Sequence, residues 1–147
     1  MNKILIQANN LDTVIDVFKY IYMHPCCKRQ EVADYCGFSL RQVAYYTNAC
    51  KYLDLLHDDW TPTELAIDIF ENNMAEVKER IYKRIIEDDM IGQVYRYMTD
   101  NPDDSPYEMA KSLTMRYFPG LSDAVYCRRS SNIVKWCKKI IQYNNLK

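Results

Sequence analysis

The chain has 147 residues, of which 27% are charged and 48% are hydrophobic. This length suits one ordinary domain or two small ones, and the apolar content argues against wholesale disorder. Only three glycines and five prolines are present. A many-stranded barrel or sandwich would need more turn residues, so an all-β fold is disfavoured.

The net charge of −1 argues against a generally basic nucleic-acid coat protein. The total hides an uneven distribution, however. Residues 1–73 carry six basic and ten acidic side chains, whereas residues 74–147 carry 13 and 10. Residues 105–147 alone have eight basic and two acidic side chains, a balance of +6. The C-terminal third is therefore the electropositive part of the chain.

The spacing of apolar residues predicts helices in the first part of the chain. A first helix is expected to begin after Asn10 or Asp12 and to end at His24-Pro25, because a residue before proline avoids helical dihedral angles. A short second helix over about 28–35 should end at Gly37, a residue favoured at helix C-termini.

Ser39 is predicted to cap a third helix over about 40–53. Two short extended segments around Asp58-Asp59 then predict a small β-hairpin, and a fourth helix should follow over about 64–72. Three helices, a hairpin and another helix form the order of a winged helix-turn-helix unit.

After a predicted connecting helix over about 74–88, the pattern restarts. The segment Val17–Pro25 aligns with Val94–Pro102 at an offset of 77, and Thr47–Leu53 aligns with Ser131–Cys137 at an offset of 84. Such self-similarity indicates two copies of one helical unit. We therefore predict a mainly α fold with a first winged helix-turn-helix unit at 1–73, a connecting helix at 74–90, and a second helix-turn-helix unit at 91–147. Only the first unit is expected to carry a β-hairpin wing.

Two segments of the chain resemble known sequences. Ser39–Leu56, with Thr61-Pro-Thr-Glu and Leu65 after it, resembles a helix-turn-helix module of prokaryotic restriction-modification proteins. Tyr117–Ser122 and Arg128–Trp136 resemble the companion half of that module. The resemblance implies a tandem winged-helix DNA-binding unit, sometimes attached to a nuclease. Ala66 departs from the glycine of that pattern, and no nuclease region is recognised, so the resemblance implies no catalysis here.

The helix predicted from Ser122 to about Gln142 carries the strongest DNA-binding pattern. Arginine can bind guanine and asparagine can bind adenine through paired hydrogen bonds, while lysine more often contacts phosphate. An alternative interpretation is a solvated basic face near a helix C-terminus, where cations are favoured. The DNA-contact candidates on or beside one face of this helix are Arg128, Arg129, Asn132, Lys135 and Lys139.

The third helix of the first unit offers a second set of polar side chains. Acidic residues at Asp58 and Asp59 lie near the predicted wing, where they would repel phosphate. A structural or protein-contact role is therefore as well supported as DNA binding, and a homodimer or another protein partner is a reasonable use of this unit. The candidates here are Ser39, Arg41, Gln42, Tyr45 and Asn48.

Other chemistry is not predicted. The six cysteines form no Cys-x-x-Cys pair, so we expect reduced thiols and neither a metal nor a cofactor. His24 and His57 are isolated, and no catalytic constellation is recognised, so an enzyme is not expected. No stretch approaches 18 apolar residues, which predicts no membrane association and a cytoplasmic location.

The sequence therefore predicts double-stranded DNA binding, as a transcriptional regulator or as the recognition protein of a restriction system. The alternative from another class is a protein–protein interaction adaptor that is built on winged-helix units and binds no DNA.

Overall fold

The computed structural model describes residues 6–72 and 76–146, which form two compact units, Met1–Ile81 and Tyr82–Lys147. The described residues contain α1 (Leu11–Met23), α2 (Arg29–Cys36), α3 (Leu40–Tyr52), α4 (Glu64–Asn72), α5 (Val77–Ile86), α6 (Asp89–Asp100), α7 (Tyr107–Tyr117) and α8 (Asp123–Asn145).

The helix boundaries in the first unit follow from capping residues that the sequence identifies. The side chain of Asn10 accepts a hydrogen bond from the backbone N–H of Thr13 at 3.2 Å, which confirms the predicted start of α1. Ser39 and Gln42 form a reciprocal capping box at the start of α3. Gly37 has a φ of +71°, the left-handed conformation that ends α2 as predicted.

The core of the first unit lies where α1, α2 and α3 pack against one another. Val14, Phe18 and Val43 are fully buried there. The Cys50 thiol, also buried, lies 3.8 Å from the carbonyl oxygen of Val14 and so joins α3 to α1. Phe70 of α4 meets Phe18 edge to face, with ring centroids 6.3 Å apart, which extends this core to α4.

The predicted β-hairpin wing is wrong, and with it the winged-helix architecture. No β-strand occurs among residues 6–72 and 76–146, and the segment predicted as a hairpin makes only an isolated antiparallel bridge between Leu56 and Pro62. The backbone N–H of His57 does donate to the carbonyl of Thr61 at 2.8 Å. The observed element is therefore a tight turn rather than a ladder of paired residues.

The neighbouring helices explain why no ladder forms. On one side, the N–H of Leu55 still bonds to the Cys50 carbonyl at the end of α3, at 2.9 Å. On the other side, Thr63 caps α4, because its hydroxyl accepts a hydrogen bond from the Ala66 N–H at 3.1 Å. Pro62 has no N–H to donate. The N–H of Thr63 does donate to the Leu55 carbonyl at 3.2 Å, so the two flanks pair around the Leu56–Pro62 bridge, but α4 begins at the next residue and the pairing ends there.

The Tyr82–Lys147 unit has its own core, formed where α6, α7 and α8 pack together. Ile91, Ile133 and Trp136 are fully buried in it. The buried carboxylate of Asp88 caps α6 by accepting hydrogen bonds from two backbone N–H groups, at 3.1 and 3.0 Å. The hydroxyl of Tyr126 donates to the Phe118 carbonyl at 2.5 Å, which ties α8 to the turn that precedes it.

The predicted connecting helix is observed as α5, Val77–Ile86, and the chain turns before α6 begins at Asp89. Met74, where that helix was expected to begin, lies outside the described residues. The division between the two compact units falls within α5, between Ile81 and Tyr82. The sequence instead assigned a separate connecting segment to residues 74–90.

Candidate nucleic-acid interface

The helices α3 and α8 begin with the same local bonds. Ser39 and Ser122 are both N-cap residues whose side chains accept a backbone hydrogen bond, and they are 83 positions apart. The hydroxyls of Thr47 and Ser130, also 83 apart, donate to the carbonyl four residues earlier, at 2.9 and 2.7 Å. Residues at equivalent positions of the two helices are therefore 83 apart in the sequence. This offset is one less than the offset of 84 that the sequence favours for Thr47–Leu53.

This one-residue difference changes the candidate face of α8. At an offset of 83, Asn132 corresponds to Ala49 rather than to Asn48. Ala49 is 1% exposed and Asn132 is 9% exposed, so both belong to the buried side of their helices. Asn132 therefore does not lie on the surface with the basic candidates, and Ser131 corresponds to Asn48.

Three basic candidates do share an exposed face of α8. Arg128, Lys135 and Lys139 are all exposed, and we call them the α8 basic face. Arg128 and Lys135 are seven residues apart, which places them on the same side of the helix about 10 Å apart along its axis. Neither makes a hydrogen bond or ion pair with a described residue. Arg129 is half-buried beside this face.

An ion pair offsets the acidic residue at the start of α8. The ammonium of Lys111 on α7 lies 2.6 Å from the Asp123 carboxylate. This hydrogen bond holds the pKa of Asp123 below its ordinary value and raises the pKa of Lys111. Ala124 and Cys127 are exposed on the same first turns and are small. At the beginning of α8, the negative charge of Asp123 is thus balanced by Lys111, and the neighbouring exposed side chains are small.

The candidates in the first unit are mostly bound to one another. Ser39 and Gln42 are the two members of the capping box. The Nε atom of Arg41 donates to the Tyr45 hydroxyl at 2.6 Å, and the guanidinium lies 5.7 Å from the centroid of that ring. Asn48 is half-buried. Binding DNA with this helix would therefore require several of these contacts to be exchanged.

The contact pattern around Lys138 was not predicted from the sequence. Its ammonium donates to the Tyr107 hydroxyl at 3.3 Å and lies 5.4 Å from the centroid of that ring. Lys138 thus packs on α7, away from the α8 basic face. Like the Lys111–Asp123 pair, this contact joins residues on different helices, so no periodic pattern in the sequence predicts it.

The cysteines and histidines bring no metal-binding set together in the part of the chain that the structure describes. Among those residues, no group of three or more cysteine, histidine, aspartate or glutamate side chains is arranged to hold a metal ion. Cys26 and Cys127 are exposed, whereas Cys50 and Cys137 are buried. Burial raises the pKa of the Cys50 and Cys137 thiols to about 12.

This difference predicts two classes of thiol. We expect Cys26 and Cys127 of the native chain to react with an aromatic disulfide reagent within minutes at pH 8. Cys50 and Cys137 should react only after unfolding, because the thiolate is the reactive form. Mass spectrometry of digested protein, quenched at successive times, locates the modified sites. Modification of Cys50 as fast as Cys127 in the native protein would contradict this prediction.

No helix among residues 6–72 and 76–146 is both long enough and apolar enough to cross a bilayer.

These features define an all-helical protein, within its described residues, with two units that are each built on three mutually packed helices. The chain belongs to a family described as a domain of unknown function (DUF7226), whose model matches residues 13–145. No curated protein and no solved structure matches the chain. The resemblance of its third helix to restriction-modification modules stays a prediction.

Proposed function

We propose that the chain binds double-stranded DNA through the α8 basic face. One observation carries the proposal: Arg128 and Lys135 are exposed, lie on one side of a 23-residue helix, and have no partner among the described residues. The surrounding segment, residues 105–147, has the +6 balance noted above. An exposed basic stripe along one helix is the usual electrostatic footprint of a DNA-binding protein.

The proposed contacts follow from the chemistry of each side chain. The major groove is wide enough to admit a helix, and the small residues Ala124 and Cys127 would let the start of α8 approach the base edges. Arg128 would then bind guanine through two hydrogen bonds. Lys135 and Lys139 would contact phosphates, which fixes the position of the helix without reading sequence. The role would be that of a transcriptional regulator or a recognition component of a restriction system, acting in the cytoplasm.

The test measures duplex affinity against salt concentration by fluorescence anisotropy, with a labelled 24-base-pair duplex pool of random sequence. We expect the double variant Arg128→Ala/Lys135→Ala to bind about 10- to 100-fold more weakly at low salt. The slope of log affinity against log salt should become shallower by about 1, because Lys135 is the phosphate contact of the two and each lost phosphate contact contributes about 0.9 to the slope.

The matched control is Lys19→Ala/Lys83→Ala, which removes the same charge at two exposed positions outside the α8 basic face. This control should keep nearly the wild-type affinity and salt slope. A wild-type salt slope near zero would contradict the proposal, and so would equal losses of affinity in the two double variants. Salt-insensitive self-association without DNA retention would instead favour the interaction adaptor.

A further inference from the structure

The first unit contains an open groove of about 570 Å³. It lies between the start of α2, the start of α3 and the turn before α4. This volume is within the range of ligand-binding clefts, roughly 300–1,000 Å³. The side chains that matter for its chemistry are Lys28, Arg29, Leu40, Asp58, Asp59 and Trp60.

Two of these side chains give the groove an apolar surface. Leu40 is 51% exposed, although leucine is normally buried in a helix that packs on a core. Trp60 is half-buried, so part of its indole ring borders the groove. Tryptophan is among the residues that contribute most to protein–protein contacts. The pair would suit one large apolar side chain of a ligand.

The two walls of the groove carry opposite charges. Asp58 and Asp59 line it from the turn before α4, which we call the acidic wall, and Lys28 and Arg29 line it from the start of α2, which we call the basic wall. Hydrogen bonds from Thr61 hold the pKa of Asp59 below its ordinary value, so Asp59 is ionised at neutral pH. Asp58, Lys28 and Arg29 are exposed and have no partner among the described residues. All three charges are therefore available to a ligand.

We propose that this groove binds an extended peptide segment of a partner protein. The segment has a large apolar residue with basic residues on one side and acidic residues on the other. The apolar residue packs on Trp60 and Leu40. The basic residues face Asp58 and Asp59, where a cation also gains from the indole face, and the acidic residues face Lys28 and Arg29.

The acidic wall disfavours nucleic acid as the occupant, because Asp58 and Asp59 would repel a phosphate backbone. A peptide with both signs of charge instead complements both walls. This proposal is independent of DNA binding by α8, since it uses other residues and a different ligand.

The test uses the full chain and fluorescein-labelled, end-blocked peptides. The peptides are Lys-Lys-Phe-Glu-Glu, its reverse Glu-Glu-Phe-Lys-Lys, and Lys-Lys-Ala-Glu-Glu, which lacks the apolar residue. We expect the better Phe peptide to bind with a Kd of about 50 µM, as befits a contact much smaller than a standard interface. The Ala peptide should bind at least tenfold more weakly.

The key variant is Trp60→Gly. Trp60 has a φ of +70°, a conformation that glycine adopts without strain. Replacing it should leave the turn folded, with a thermal midpoint within a few degrees of wild type, while peptide affinity falls at least tenfold. Asp58→Lys should weaken binding about fivefold. Asp16→Lys, the same charge change at an exposed position of α1 outside the groove, should not.

Three results would overturn the proposal. The first is no binding of either Phe peptide at 1 mM. The second is unchanged peptide affinity in the folded Trp60→Gly variant. The third is a wild-type dimer in analytical ultracentrifugation that Trp60→Gly abolishes, since a second copy of the chain would then occupy the groove.

Discussion

Replacing Gly92 by alanine is expected to lower the free energy of unfolding of the Tyr82–Lys147 unit by about 3 kcal/mol. Gly92 lies inside α6, where a β-carbon would stand 2.5 Å from the carbonyl oxygen of Ile86 and 3.4 Å from its carbon. These are backbone atoms at the end of α5, so the clash can be relieved only by moving one helix end against the other. In an open helix the same change would stabilise by about 1 kcal/mol, so the sign of the effect is diagnostic.

Gly37→Ala is the matched control. Gly37 has a φ of +71°, and a β-carbon there would meet no atom within 4 Å. Only the left-handed backbone conformation opposes alanine, at a cost of about 1 kcal/mol. Hydrogen exchange of the α6 and α8 amides reports the loss for Gly92→Ala. Unchanged or slower exchange in Gly92→Ala would contradict the prediction, because α6 would then accept a β-carbon at this position without a shift of the end of α5.

The three glycines show which structural roles can be predicted from the sequence and which cannot. Gly37 and Gly120 could be assigned to turns because each comes two residues before a serine that caps a helix, and their φ values are +71° and +90°. Both features are local. The role of Gly92 depends on where the Ile86 carbonyl lies in space, and no spacing within α6 encodes that approach.

The incorrect prediction of a wing has a different cause. Here a local pattern indicates a hairpin, but the neighbouring helices prevent its strands from forming. Short apolar segments on either side of Asp58-Asp59 are typical of a hairpin. The pairing stops after one bridge, however, because the Leu55 N–H completes α3 and the Thr63 side chain caps α4, which leaves only the Leu55 carbonyl and the Thr63 N–H to bond to each other. The bounds of the helices were predicted closely. The number of flanking residues that each helix engages through its cap or its last hydrogen bonds was not predicted.

The candidate face of α8 could be predicted only in part from the sequence. Helical periodicity places Arg128, Lys135 and Lys139 together, and all three are exposed. Periodicity also places Asn132 with them, yet that side chain is buried. The apolar stripe alone leaves the edge of the buried surface uncertain by one position. The serine caps, 83 residues apart, supply the correct register.

Raising the pH from 8 to 10.5 is expected to destabilise the Tyr82–Lys147 unit through Cys137. Burial raises the pKa of this thiol to about 12 in the folded chain, whereas an unfolded cysteine ionises near pH 8.5. The thiol's contribution to stability is therefore fully present below about pH 8.5 and is lost as the pH rises toward 12. The expected loss is about 1.4 kcal/mol per pH unit, or roughly 2–3 kcal/mol at pH 10.5.

Cys137→Ala isolates this contribution from the tyrosines and lysines that titrate in the same range. The variant should be less stable at pH 8, because a buried side chain is truncated, but its stability should fall less steeply with pH. Cys127→Ala, which removes an exposed thiol from the same helix, should keep the wild-type slope. Urea unfolding at pH 8, 9.5 and 10.5 measures all three slopes. Equal slopes in the three proteins would contradict the prediction, because the Cys137 thiol would then ionise as readily in the folded chain as in the unfolded one, despite its burial beside the Ile91 carbonyl.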